Sequence, residues 1–226
     1  MHHFAEYYLG IFETDARKLF LFPNNKALLI EHIAVALEHF DVWQNEIGNA
    51  NRRVENREWE VPGIRYYNDS YNRHEIENHA LEPFFEYKSA SSPEVAFKNY
   101  LIANQDNIEW WYKNGDQGKE HFAVSYTDNF GVLRLFYVDF VIKFKTGKIG
   151  LFDTKTKRSD AEAPNKHNAL VAYIEKENSA NPSRELIGGI LIPEEMGGVV
   201  KFRYCTNRIT DTNDLMGWEF FSPAGI

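Results

Sequence analysis

Two apolar runs joined by a tight turn set the strongest limit on how this chain folds. Leu133 to Phe144 reads as a strand, Lys145-Thr146-Gly147 as a turn, and Lys148 to Thr156 as a second strand. Each run contains one misfit, Asp139 in the first and Asp153 in the second. Asp is depleted in strands, and a buried carboxylate must be paired or bound to metal. Strand alternation predicts that Phe136, Val138, Phe140, Ile142 and Phe144 share one face, with Asp139 on the other beside Tyr137 and Val141. The same rule puts Asp153 and Lys155 on a common face.

The length of the turn decides whether the two acids meet. A two-residue loop, Thr146-Gly147, sets Asp139 opposite Thr154 and turns Asp153 away. A three-residue loop with Gly147 in the left-handed conformation sets Phe144 opposite Lys148 and Asp139 opposite Asp153. Glycine is the residue type that this second geometry favours. Directly opposed carboxylates repel unless a cation lies between them. By itself this crowding predicts that removing Asp139 relieves repulsion in a metal-free chain.

Oxygen-only ligands select a hard ion such as Mg²⁺ or Mn²⁺. Lys155 adds a fixed positive charge where a phosphate or an activated water would lie. Acids, metal and lysine together supply what phosphodiester hydrolysis needs. A D…DxK triplet alone is more often an Asp–Lys ion pair across a hairpin; its placement on consecutive apolar strands joined by a tight Gly turn shifts the balance toward a site.

The remaining pattern indicates an α/β or α+β arrangement, with a mixed central sheet flanked by helices. Asn24 to Phe40 has helical spacing through Leu28, Leu29, Ile33, Ala36 and Leu37. Asn45 to Asn72 is polar and reads as short strands and loops. Ser92 can cap a helix that enters through Pro93 and Glu94. His121 to Tyr126 reads as a strand, Ala163 to Asn178 as a helix, and Leu186 to Ile192 and Val199 to Tyr204 as strands. Trp110-Trp111-Tyr112 is read as core or a sheet edge rather than a base-stacking platform. Residues 91–226 form the expected core domain, and residues 1–90 an accessory region.

Net charge is −8, yet Asp139 to Leu170 holds seven Lys/Arg against four Asp/Glu, so the catalytic candidate is the basic island of an acidic chain. The acidic balance argues against a free-standing DNA binder. The single Cys205 excludes an intrachain disulfide and favours a reducing, cytoplasmic setting. No membrane span or signal peptide is expected. His74-Glu75 and His79 miss the HExxH spacing. Ile142 and Lys113 stand where a P-loop needs glycine, so no ATP site is expected.

Trp110 to Asp116, Leu135 to Phe140 and Ile149 to Lys155 together resemble the C-terminal endonuclease domain of type III restriction enzyme restriction subunits. Related DEAD/DEAH-box helicase-like proteins share this module. The resemblance spans about Pro93 to Tyr204. It implies a PD-(D/E)xK fold, with Val138 where the motif has Pro and Asp153 as its second acid. It also implies a metal-binding Glu on the preceding helix, matched by Glu94, and a polar residue on the following helix, matched by Lys166. The implied activity is Mg²⁺-dependent cleavage of double-stranded DNA. The implied partners are a helicase-like motor, linked through residues 1–90, and a modification methyltransferase subunit. Two readings remain beside it: a degenerate nuclease fold that only binds DNA, and a protein-interaction module of a defence complex. Glu94 is also readable as a plain first-turn helix residue, and Lys166 as a solvated one.

Overall fold

A computed structural model describes residues 15, 18, 22–28, 30–35, 37, 39, 58–157 and 160–226. The chain divides into two compact units: Met1–Arg52 with Phe130–Val132, and Arg53–Asn129 with Leu133–Ile226. In the first unit, every described residue between 23 and 39 is helical, as the spacing from Asn24 to Phe40 predicts. Leu28, Ile33 and Leu37 of that apolar stripe are exposed. Leu29, Ala36, Phe40 and the predicted strands and loops of residues 45–57 lie outside the described set.

The second unit opens with an antiparallel pair, β1 (Tyr71–His74) and β2 (Phe84–Tyr87). Helix α1 (Ser92–Ala103) follows. Its cap is Ser91, one residue before the expected Ser92. Ser91 Oγ accepts from Glu94 N and donates to Glu94 Oε1 at 2.8 Å. Ser91 thus caps the helix through its hydroxyl, and the same hydroxyl holds one oxygen of the Glu94 side chain.

The chain continues as β3 (Ile108–Lys113), β4 (Ala123–Thr127), β5 (Leu133–Tyr137), β6 (Phe140–Phe144) and β7 (Ile149–Thr154). Helix α2 (Ala163–Ala180) then leads to β8 (Leu186–Met196), β9 (Val199–Tyr204) and β10 (Glu219–Phe220). Six strands form one mixed sheet in the order β10-β9-β8-β7-β6-β3. Within it only β7 and β8 run parallel, joined through α2. Trp111 and Tyr112 of the edge strand β3 are buried, in line with their reading as core.

One expectation fails. Leu133 to Phe144 is not one strand: it breaks at Val138-Asp139, and β5 leaves the sheet to pair with β4 in a hairpin of its own. The break also shifts the phase of alternation. Phe140, Ile142 and Phe144 pack under α1 with Phe97, Leu101 and Phe152. Phe136 and Val138 pack instead with Val141, Leu151 and Leu170 of α2. Asn114 clasps the break, donating through Nδ2 to Val138 O and Phe122 O while its Oδ1 accepts from Phe122 N.

Sequence alternation across β6 and β7 therefore builds both layers. Even positions 140, 142, 144 and 152 bury on the α1 side, and odd positions 141 and 151 on the α2 side. No helix among the described residues is long and apolar enough to cross a membrane.

Candidate active site

The β6–β7 turn has the three-residue form. Phe144 N donates to Lys148 O at 3.0 Å, Gly147 N donates to Phe144 O at 2.9 Å, and Gly147 has φ +96°. The ladder pairs Phe140 with Phe152 and Val141 with Leu151. One step further, that register sets Asp139 against Asp153. Asp139 lies in the break just before β6, and Asp153 near the end of β7.

The two acids have different partners. Asp139 Oδ2 accepts from Thr154 N and Thr154 Oγ1, each at 2.7 Å. Its Oδ1 accepts from Lys113 Nζ at 3.1 Å. Burial alone would push this carboxyl up. The Lys113 charge and the two Thr154 hydrogen bonds outweigh it and hold the group below the usual carboxylate range.

Asp153 is 2% exposed and is ion-paired with Lys155, whose Nζ lies 2.8 Å from Oδ2. That contact is close but badly directed, and Oδ2 gains no well-formed hydrogen bond from it. The interaction is electrostatic attraction without directional satisfaction. Burial, followed by the negative charge of Asp139, pushes Asp153 up to about 8 despite Lys155.

Lys113 is a site residue that sequence spacing did not reveal. Its Nζ lies 3.1 Å from Asp139 Oδ1, 3.3 Å from Glu94 Oε2 and 5.2 Å from the Phe140 ring centre. Burial opposes its charge, but Asp139 and Glu94 overcome that and raise its pKa. Glu94 has both oxygens engaged, Oε1 by Ser91 and Oε2 by Lys113. Signals for Lys113 did exist in the sequence: a charged residue following Trp111-Tyr112 on an apolar strand is itself a misfit.

Lys155 and Lys166 meet on a further acid, Asp160, with Nζ–Oδ2 distances of 3.8 and 2.7 Å. Lys166 Nζ also sits 5.8 Å from the Tyr126 ring centre and 6.0 Å from that of Phe136. The ion-paired network holds Glu94, Asp139, Asp153 and Asp160 against Lys113, Lys155 and Lys166. With Asp153 protonated, its charges balance.

All five sequence candidates, Glu94, Asp139, Asp153, Lys155 and Lys166, line one cleft of about 350 Å³, together with Asp116. A larger neighbouring cleft of about 690 Å³ shares Glu94 and Asp116 and is lined by Arg65, Tyr66, Tyr71 and Lys113. Among the described residues, no group of three or more His, Cys, Asp or Glu side chains is gathered in a metal-holding arrangement.

Comparison with known proteins adds no assignment: no family model, no curated protein and no solved structure matches this chain.

Proposed function

We propose that the second unit is a metal-dependent nuclease that hydrolyses DNA phosphodiester bonds, with Asp139, Asp153 and Lys155 at its centre. The carrying observation is that Asp139, just before β6, and Asp153 and Lys155, at the end of β7 and just beyond it, all line one cleft. The resemblance to the PD-(D/E)xK domain of type III restriction subunits supports the reading, as does the mixed sheet flanked by helices.

The carboxylates are of the kind a hard divalent ion takes, although they are not gathered around an ion site as they stand. Asp153 Oδ2 is a buried oxygen that lacks a directed hydrogen bond, which is the kind of atom such an ion satisfies. Asp139 and Asp153 would hold Mg²⁺ or Mn²⁺, with Glu94 as a further oxygen donor. The ion would supply charge neutralisation and water activation.

The chain's own groups do the rest. Thr154 fixes the rotamer of Asp139 through two hydrogen bonds. Lys155 stands where it steadies negative charge on a phosphate and orients a water. Lys166, held by Asp160 and two rings, keeps a second positive charge at the cleft. With a net charge of −8, the chain relies on a partner such as a helicase-like motor for its grip on duplex DNA.

A second reading is favoured by one observation. Each oxygen of Asp139 and Glu94 already has a protein donor or counter-ion. On that reading the fold binds DNA or protein and does not cut.

A cleavage assay with Mg²⁺ or Mn²⁺ on plasmid and linear DNA separates the two. Nicking or cutting by the wild type, lost in Asp139→Asn and Lys155→Ala, is expected. Equal cutting by all three proteins would show a contaminant or another site. No cutting by any, with or without an added motor protein, would leave the binding module.

A further inference from the structure

The cation nearest to Asp139 belongs to the protein itself. Lys113 Nζ stands between Asp139 Oδ1 and Glu94 Oε2, on an edge strand whose neighbours Trp111 and Tyr112 are buried and cannot shift sideways. Its backbone is tied down as well, since Lys113 N donates to His79 Nε2 and Arg65 Nη1 donates to Lys113 O. Ser91 holds the far oxygen of Glu94, which leaves Glu94 Oε2 to meet Lys113 at the cleft. The family resemblance implies Glu94 as a metal ligand, yet the side chain it meets is an ammonium group.

From this geometry we infer that Lys113 is a resident counter-ion, a positioning residue that keeps Asp139 and Glu94 together without metal and competes with a divalent ion for them. The inference rests on the nuclease reading only in taking Asp139 as a metal ligand. Electrostatics gives its sign. A lysine beside a carboxylate ligand repels an incoming ion and occupies an oxygen that the ion needs. A divalent ion therefore binds by drawing Asp139 off Lys113, and its affinity is set below what the oxygen donors alone would give.

The test is a metal titration of the full chain, read by melting temperature and not by cleavage. In Lys113→Met the midpoint for Mn²⁺ is expected to fall on the order of tenfold relative to wild type, because one repelling charge has gone. Lys113→Arg keeps the charge and is expected to stay near the wild-type midpoint.

Should Lys113→Met fail to fold, the unmutated protein still decides. In ¹⁵N spectra of its lysine ammonium groups, Lys113 is expected to give a slowly exchanging signal, absent from Lys113→Arg, that disappears as Mn²⁺-free Mg²⁺ saturates the site. Stabilisation by metal with that signal unchanged, or with an unchanged midpoint in Lys113→Met, overturns the inference and leaves the nuclease reading intact. No stabilisation of any variant by either ion overturns both the inference and the metal site. Loss of cleavage with the metal response preserved strikes only at the proposed function.

Discussion

Asp139 and Asp153 face each other across one turn of ladder, yet the protein treats them in opposite ways. Asp139 sits at a break in the chain, where a lysine from β3 and both donors of Thr154 can reach it. Asp153 sits inside β7, almost wholly buried at the cleft, with a lysine contact that gives its Oδ2 no directed hydrogen bond. One is held ionised and the other is pushed toward the neutral form. The lesson is that position in a register brings two acids together, but the donors around each decide which carries the charge.

The largest expected effect comes from removing the acid with partners. Asp139→Ala leaves Lys113 half paired and two Thr154 donors empty, and should destabilise the fold by about 3–5 kcal/mol. This reverses the expectation drawn from crowding alone. Repulsion between opposed carboxylates is small when one is largely protonated at neutral pH, so its relief cannot offset a broken pair. Urea unfolding measures it, and a loss under about 1 kcal/mol would mean that the two acids are not so different.

Removing the acid whose charge is poorly compensated should act the other way. Protonation of Asp153 favours the folded state, because its folded pKa of about 8 lies above the ordinary value. Its contribution is complete below pH roughly 4 and disappears as pH rises through about 8. Asp139 has the opposite sign: its contribution is present above the ordinary range and is lost as pH falls. Asp153→Asn should therefore flatten the fall in stability between these limits and be more stable than the wild type at pH 8. Parallel stability–pH curves for the variant and wild type would show that Asp153 is ionised throughout.

The smallest effect concerns the register itself. Gly147 has φ +96° with open space where a Cβ would stand, so Gly147→Ala meets backbone strain but no clash. A loss of about 1 kcal/mol is expected, with cross-strand contacts between Phe140 and Phe152 retained in NMR spectra. A changed pairing would show that the turn, more than packing, sets the opposition of the acids.

Much of this was legible because it is local. The three-residue turn follows from Gly147, and the opposition of Asp139 and Asp153 follows from the turn. The helix begun at Pro93 and the helix from Ala163 were visible in caps and spacing. The break at Val138-Asp139 was not. The run from Leu133 to Phe144 alternates well enough to pass as one strand, and its interruption depends on Asn114, whose clasp closes contacts from Phe122 and Val138. Lys113 was missed for the same reason. It precedes Asp139 by 26 residues and meets it only because β3 pairs with β6. Asp160, which joins Lys155 to Lys166, likewise becomes a site residue only once α2 is packed. The pairing of β1 with β2 went unseen because the polar stretch before it lacks a clean period.

Because the chain changes sheets between Tyr137 and Phe140, the β4–β5 hairpin is laced to itself and contributes no rung to the ladder that opposes the two acids. It lends the cleft a wall through Tyr126, Leu135, Phe136 and Tyr137 without holding the register beneath. Selection, or a protein engineer, can therefore alter the outward residues of that wall and so change what enters the cleft. The geometry of Asp139 and Asp153 is retained as long as Asn114 keeps its clasp and Phe136 and Val138 keep their place in the core.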